Sequence, residues 1–224
     1  MFRWPRATSP VRLSPTRRTS PLLHISRNPI TRAQGDLVGA LTSYREGLEI
    51  IVRLAQSGAS NARRRRDLSV SYNKIGDVQR EQSEFGGALT SYRDSLEIMN
   101  QLAKTDPGNT GWQRDISVVY ERIGDTQRAQ GDLARALISY RDSLAIREPL
   151  AQSDSGNAGW QRDLAVSYGR IGFCLGKLEN VTEALEKLRR GRAIMVRLNA
   201  LSPDNDGWKR DLDRFEARIS GLSR

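Results

Sequence analysis

Trp112-Gln113-Arg114-Asp115 returns as Trp160-Gln161-Arg162-Asp163 and, with one change, as Trp208-Lys209-Arg210-Asp211. Each step is 48 residues. The same step joins Ser43-Tyr44-Arg45 to Ser91-Tyr92-Arg93 and Ser139-Tyr140-Arg141. It also joins Ile75-Gly76 to Ile123-Gly124 and Ile171-Gly172. Residues 66–111 laid on 114–159 agree at 26 of 46 positions without a gap, far beyond chance. The greater part of the chain is therefore a tandem array, and the repeat decides the architecture.

Each unit reads as two helices. Trp112, Ile116, Tyr120 and Ile123 are spaced by four, four and three, which puts them on one helical face. Gly131-Asp132 then signals a turn, with Asp132 placed to cap the next helix. Glu84, Asn180 and Asp36 hold the same capping position in the other units. A second apolar stripe follows through Leu133, Ala136, Leu137, Tyr140 and Leu144 to Leu150. Polar loops close the units at Asp106-Pro107-Gly108-Asn109, Asp154-Ser155-Gly156-Asn157 and Ser202-Pro203-Asp204-Asn205. No stretch of the array reads as a strand. A hairpin with an apolar face on each helix cannot bury both alone, so the units are expected to stack into an all-α solenoid.

The order of residues within a unit resembles the tetratricopeptide repeat. Tyr72, Ile75, Gly76, Ala88, Tyr92 and Ser95 carry the pattern in one unit. Tyr120, Ile123, Gly124, Ala136, Tyr140 and Ser143 carry it in the next. In the last unit Tyr168, Ile171, Gly172 and Ala184 match, while Leu188 replaces the aromatic and Gly191 the small residue. The usual period of that family is 34 residues; the longer step here looks like a long-helix variant, similar to arrays in bacterial multidomain proteins. The resemblance covers residues 32–222. It implies a half-unit over 32–58, units over 61–106, 109–154 and 157–202, and a terminal capping helix over 206–222.

The ends differ from the array. Pro29 falls where Asp77 and Asp125 sit in complete units, a mid-helix position where proline costs about 3 kcal/mol. The first unit thus keeps its second helix and lacks its first, as in a truncated piece of a longer array, with an apolar face open to self-association. Residues 1–31 are rich in arginine, serine and proline without periodicity and read as a disordered basic tail. The whole chain has 224 residues and a net charge of +10. Residues 1–35 contribute seven arginines and no acid, so the array itself is nearly balanced.

Several chemistries are excluded or disfavoured. No apolar run is long enough for a transmembrane helix. One cysteine, Cys174, and one histidine, His24, leave no disulfide framework, cysteine zinc site or histidine-based triad. No phosphate-binding loop, nucleophile elbow or His-Glu-x-x-His motif occurs. The reading is non-catalytic, with no metal and no cofactor, and cytoplasmic. Cys174 reads as a small buried hydrophobe, and the tryptophans as seals between hairpins rather than a ligand cage. The repeated Arg-Asp pairs read as an ion-pair ladder between units, because an active site is needed once and a joint is needed every time.

The tetratricopeptide resemblance implies that the first helices line a concave groove receiving a peptide or partner domain. Carried over by motif, the groove residues are Asn73, Asp77, Arg80 and Glu81, then Glu121, Asp125 and Arg128, then Gly169, Phe173 and Lys177. Asp77 with Asp125 and Arg80 with Arg128 would form parallel rows of acid and base. The acids depart from the Lys/Asn-rich clamp of the chaperone-tail-binding members, so that specificity is not expected. The expected partner is a protein or peptide, with no membrane. The alternative is nucleic-acid or anionic-surface binding through the basic tail and Arg63–Arg66. Arg63–Arg66 reads equally as a solvated helix start.

Overall fold

A computed structural model describes residues 39, 41–47, 49 and 62–223. Seven complete helices follow in order: α1 (Ala62–Glu81), α2 (Phe85–Thr105), α3 (Thr110–Ala129), α4 (Leu133–Ser153), α5 (Ala158–Lys177), α6 (Val181–Leu201) and α7 (Asp206–Leu222). Residues 41–47 are also helical. No strand occurs among the described residues. The basic tail 1–31, Pro29, His24, Asp36 and most of the half-unit lie outside the described residues.

The helix ends follow from local chemistry. Asn109, Asn157 and Asn205 each accept a hydrogen bond from the backbone N–H three residues on, at Trp112, Trp160 and Trp208, over 3.0–3.1 Å. One side chain thus satisfies an orphan donor at the start of α3, α5 and α7. Asp132 and Asn180 cap α4 and α6 in the same way. Glu84 does not cap α2 with its side chain, which is one methylene longer than that of Asp132. Between the helices of each hairpin one residue turns left-handed: Ser83 at φ 63°, Gly131 at φ 84° and Glu179 at φ 62°. That turn lets the next N–H reach back five residues, as Asp132 N does to the Gln127 carbonyl at 2.9 Å, closing the helix end.

The first two described hairpins are each held by a ring on a glycine. A Cβ on Gly76 would lie 2.6 Å from the Tyr92 ring, and one on Gly124 would lie 2.6 Å from Tyr140. Only glycine lets the aromatic lie flat on the first helix. In the third hairpin Leu188 fills the same place over Gly172. Ala88, Ala136 and Ala184 of the second helices are wholly buried.

The core runs along the stack. Leu41 and Tyr44 pack with Ile75 and Val78 of α1, so this face of the half-unit is covered there. Ala88 and Tyr92 of α2 meet Val119 and Ile123 of α3. A longer cluster runs from Ala136 of α4 to Phe215 of α7. Trp112, Trp160 and Trp208 pack half-buried against these clusters, as seals do. Cys174 is buried, and burial pushes its thiol up to about 11.

The Arg-Asp ladder is present. Arg66 Nε meets Asp115 at 2.7 Å, Arg114 Nε meets Asp163 at 2.7 Å, and Arg162 meets Asp211 at 2.9 and 2.7 Å. Each rung links a residue to one 49 positions later. Half-exposed pairs of this kind are worth about 0.2–1 kcal/mol, against about 1.5–3 kcal/mol for a fully buried large apolar side chain. The apolar joints therefore hold the stack, and the rungs fix its register.

Candidate functional site

Two hollows lie along the surface formed by the first helices. One is lined by Asp77 and Arg80 of α1, by Glu121, Arg122 and Asp125 of α3, and by Arg170 of α5. The other takes residues from α3, α5 and α7. Each hollow is thus shared by three successive first helices. The hollows enclose about 280 and 270 Å3.

The acids of this surface are already engaged. The Tyr92 hydroxyl donates to Asp77 at 2.9 Å, and Arg122 Nε donates to the same oxygen at 3.1 Å. One repeat later the Tyr140 hydroxyl donates to Asp125 at 2.7 Å, and Arg170 donates to both its oxygens at 3.2 and 3.0 Å. Each aspartate thus ties its own hairpin to the next. Burial pushes the Asp125 carboxyl up, but the charge and hydrogen bonds of Arg170, with the Tyr140 hydroxyl and Arg128, outweigh it and hold the carboxyl below its ordinary range. Burial first, then the neighbouring carboxylates, raises the Tyr92 and Tyr140 phenols. Burial opposes the charge on Arg170, yet Glu121 and Asp125 keep it firmly protonated.

Glu121 is engaged twice. Arg170 Nη1 reaches it at 2.7 Å, and Arg147 of α4 at 2.8 Å. Arg147 is only 3% exposed. It also donates to Ser117 Oγ, Ser167 Oγ and the Asp163 carbonyl at 3.0–3.1 Å. This arginine pins three helices, and the motif-based reading of the groove did not include it. Its register neighbours 48 residues away are Met99 and Met195, both wholly buried.

The remaining groove residues divide. Asn73 is buried, and its Oδ1 has no hydrogen-bond partner among the described residues, nor does Arg80 Nε. Arg128 reaches Asp125 only loosely, at 3.7 Å, and lies 5.6 Å from the centre of the Phe173 ring. Glu81 and Lys177 are exposed at the ends of α1 and α5, outside both hollows. The acid row at 77 and 125 is therefore structural, and the cations 80 and 128 face the hollows. In the Arg63–Arg66 run, Arg66 is spent on Asp115 and Arg65 donates to Gln101. No group of residues that could hold a metal occurs among the described residues. No helix there is long and apolar enough to cross a membrane.

No family model and no curated protein matches the sequence. Solved structures do match in fold. BtubC of P. vanneervenii is 16% identical with a TM-score of 0.59, over 91% of this chain and 78% of BtubC. The apo form of RapI is 12% identical with a TM-score of 0.66, over 89% of this chain but 48% of RapI. A Podospora anserina protein named after kinesin light chains, with nearly identical TPR-like repeats, is 13% identical with a TM-score of 0.56, over 91% of this chain and 95% of that one. Likeness at these identities concerns the fold, and together with the hairpin geometry it makes this chain a tetratricopeptide-like α-solenoid of stacked antiparallel hairpins with a closing C-terminal helix.

Proposed function

We propose that the array is a non-catalytic interaction scaffold that receives an extended segment of a partner protein along α1, α3, α5 and α7. The observation that supports this reading is the recurrence of one hollow at successive joints. A partner chain can be gripped at both places, whereas a catalytic centre would need a unique constellation. Arg80, which lines the first hollow, and the half-exposed Arg128, which lines the second, supply guanidinium donors for a backbone carbonyl or polar side chain. A reducing, cytoplasmic setting belongs to the same proposal, in keeping with the single buried cysteine.

Selection of displayed random peptides on the full chain tests it. Enrichment of a peptide class that is retained by the wild type and lost on the Arg80→Glu, Arg128→Glu double variant is the expected result. Both side chains face the hollows, and neither carries the joints that Asp77 and Asp125 carry. Failure to enrich any class, or enrichment indifferent to the double variant, would overturn the reading.

A further inference from the structure

The two hollows are the same site one repeat apart, and they differ in charge. In the first, Asp77, Glu121 and Asp125 face Arg80, Arg122 and Arg170. In the second, only Asp125 and Asp211 face Arg128, Arg170, Arg214 and Arg218. Three carboxylates against three arginines become two against four.

The cause is two residues. Forty-eight positions after Glu121 and Asp125 stand Gly169 and Phe173. Those are the two carboxylates that Arg170 uses. Arg218, the counterpart of Arg170 in the next first helix, finds neither. Its Nη1 donates to the Gly169 carbonyl at 3.0 Å, and its guanidinium lies 5.3 Å from the centre of the Phe173 ring. Leu188 explains why the acid is dispensable to the hairpin: it has no hydroxyl for an aspartate at 173 to accept, unlike Tyr92 and Tyr140. The carboxylates still present are committed elsewhere, Asp125 to Arg170 and Tyr140, and Asp211 to Arg162 and Arg214. Burial and the neighbouring cations Arg128, Arg214 and Arg170 all weaken the hold of Arg218 on its proton, which is the mark of an arginine short of an anion.

We propose that this second hollow accepts a carboxylate of the partner peptide, from an Asp or Glu side chain, in the place that the chain's own Asp77 and Asp125 take at the two preceding joints. The proposal rests on the groove reading above and names the chemistry that the groove recognises at its C-terminal end. The preceding joints supply the template, since a guanidinium at this register holds a carboxylate both times. A planar guanidinium matches a carboxylate through paired N–H donors. The Phe173 ring gives the side-chain methylenes an apolar wall. At about 270 Å3 the hollow lies below the usual size of a small-molecule pocket, roughly 300–1,000 Å3, and suits one side chain better than a cofactor.

The experiment uses the full chain with 15N-labelled arginine, followed by NMR at the guanidinium Nε–H signals. The probes are N-acetylglutamate amide, N-acetylglutamine amide and inorganic phosphate. Saturable shifts at Arg218 and Arg128 with the glutamate probe and none with the glutamine probe are expected. Arg218→Gln should weaken binding by at least about tenfold, and Phe173→Asp should abolish it by restoring the internal carboxylate. Circular dichroism of both variants confirms folding; the Arg218 guanidinium is only part-buried at the surface, so Arg218→Gln keeps the proposal testable if Phe173→Asp unfolds. Linear shifts spread evenly over all arginines, or undiminished saturation in Arg218→Gln, would overturn the proposal. Saturation by phosphate alone would overturn the choice of a carboxylate. The peptide selection separates the two readings. Enriched peptides lacking acids would leave the groove standing and remove the pocket. A saturating glutamate probe with no enriched peptide would do the reverse.

Discussion

The hydroxyl of Tyr140 donates to Asp125 across 2.7 Å, and the other side of that carboxylate receives Arg170 from the next hairpin. One aspartate therefore belongs to the inside of its own unit and to the joint at once. Asp125→Ala is expected to cost about 2–4 kcal/mol, because it strands a hydroxyl and a largely buried guanidinium together. Tyr140→Phe should cost only about 1 kcal/mol, since Arg170 remains. Urea unfolding of the two single variants and the double variant gives the coupling between them. Additive losses would show that the shared carboxylate is not the link.

The same carboxylate predicts an acid-sensitive joint. Arg170 and Tyr140 hold the folded-state pKa of Asp125 below its ordinary value. The stabilisation is therefore complete above the unfolded carboxylate value of about 3.9 and is lost as pH falls through the lower folded value. The urea midpoint should drop between about pH 5 and pH 2, and Asp125→Asn should flatten that drop. Parallel curves for wild type and variant would refute the assignment.

Arg147 stands where the flanking units carry Met99 and Met195. Arg147→Ala leaves Glu121 with one cation and opens a void, at an expected cost of about 3–5 kcal/mol. Arg147→Met fills the same space with the residue that the neighbouring joints tolerate, and should lose less than half as much. Thermal melts compare them directly, and equal losses would mean that the charge, not the volume, holds the central joint.

Glu179 turns left-handed at φ 62°, where the equivalent residue of the second hairpin is Gly131. A side chain in that region costs about 1–2 kcal/mol. Glu179→Gly should therefore stabilise the third hairpin, and Gly131→Ala should destabilise the second by a similar amount. Hydrogen exchange at the α5–α6 and α3–α4 turns reads each change locally. A lowered protection after Glu179→Gly would contradict the strain argument.

The hairpin was legible because its rule is local. Gly76 with Tyr92 and Gly124 with Tyr140 recur at fixed spacing, and the spacing alone announces a ring on a bare backbone. The ladder was legible because repetition rules out a single-use site. The surface that carries the hollows was legible only by position. Sequence placed Asp77 and Asp125 on the surface that carries the hollows but could not show that a tyrosine and the following hairpin's arginine use them up, because that offset of 45 residues comes from how hairpins stack. Arg147 carried a readable signal, an arginine in a column otherwise methionine. Phe173 and Gly169 were visible as departures from the repeat. What they leave behind at Arg218 depends on the offsets of 45 and 49, which only the packed joint supplies.

Every rung of the ladder joins a residue to one 49 positions later, and the step of the array is 48. Excising residues 112–159 would bring Arg66 opposite Asp163 and Asp77 opposite Arg170, so each rung would find a partner of the same kind. The polar bonds thus act as a grammar for editing by whole units. Length is free to change along the array, and the sentence still parses at each cut.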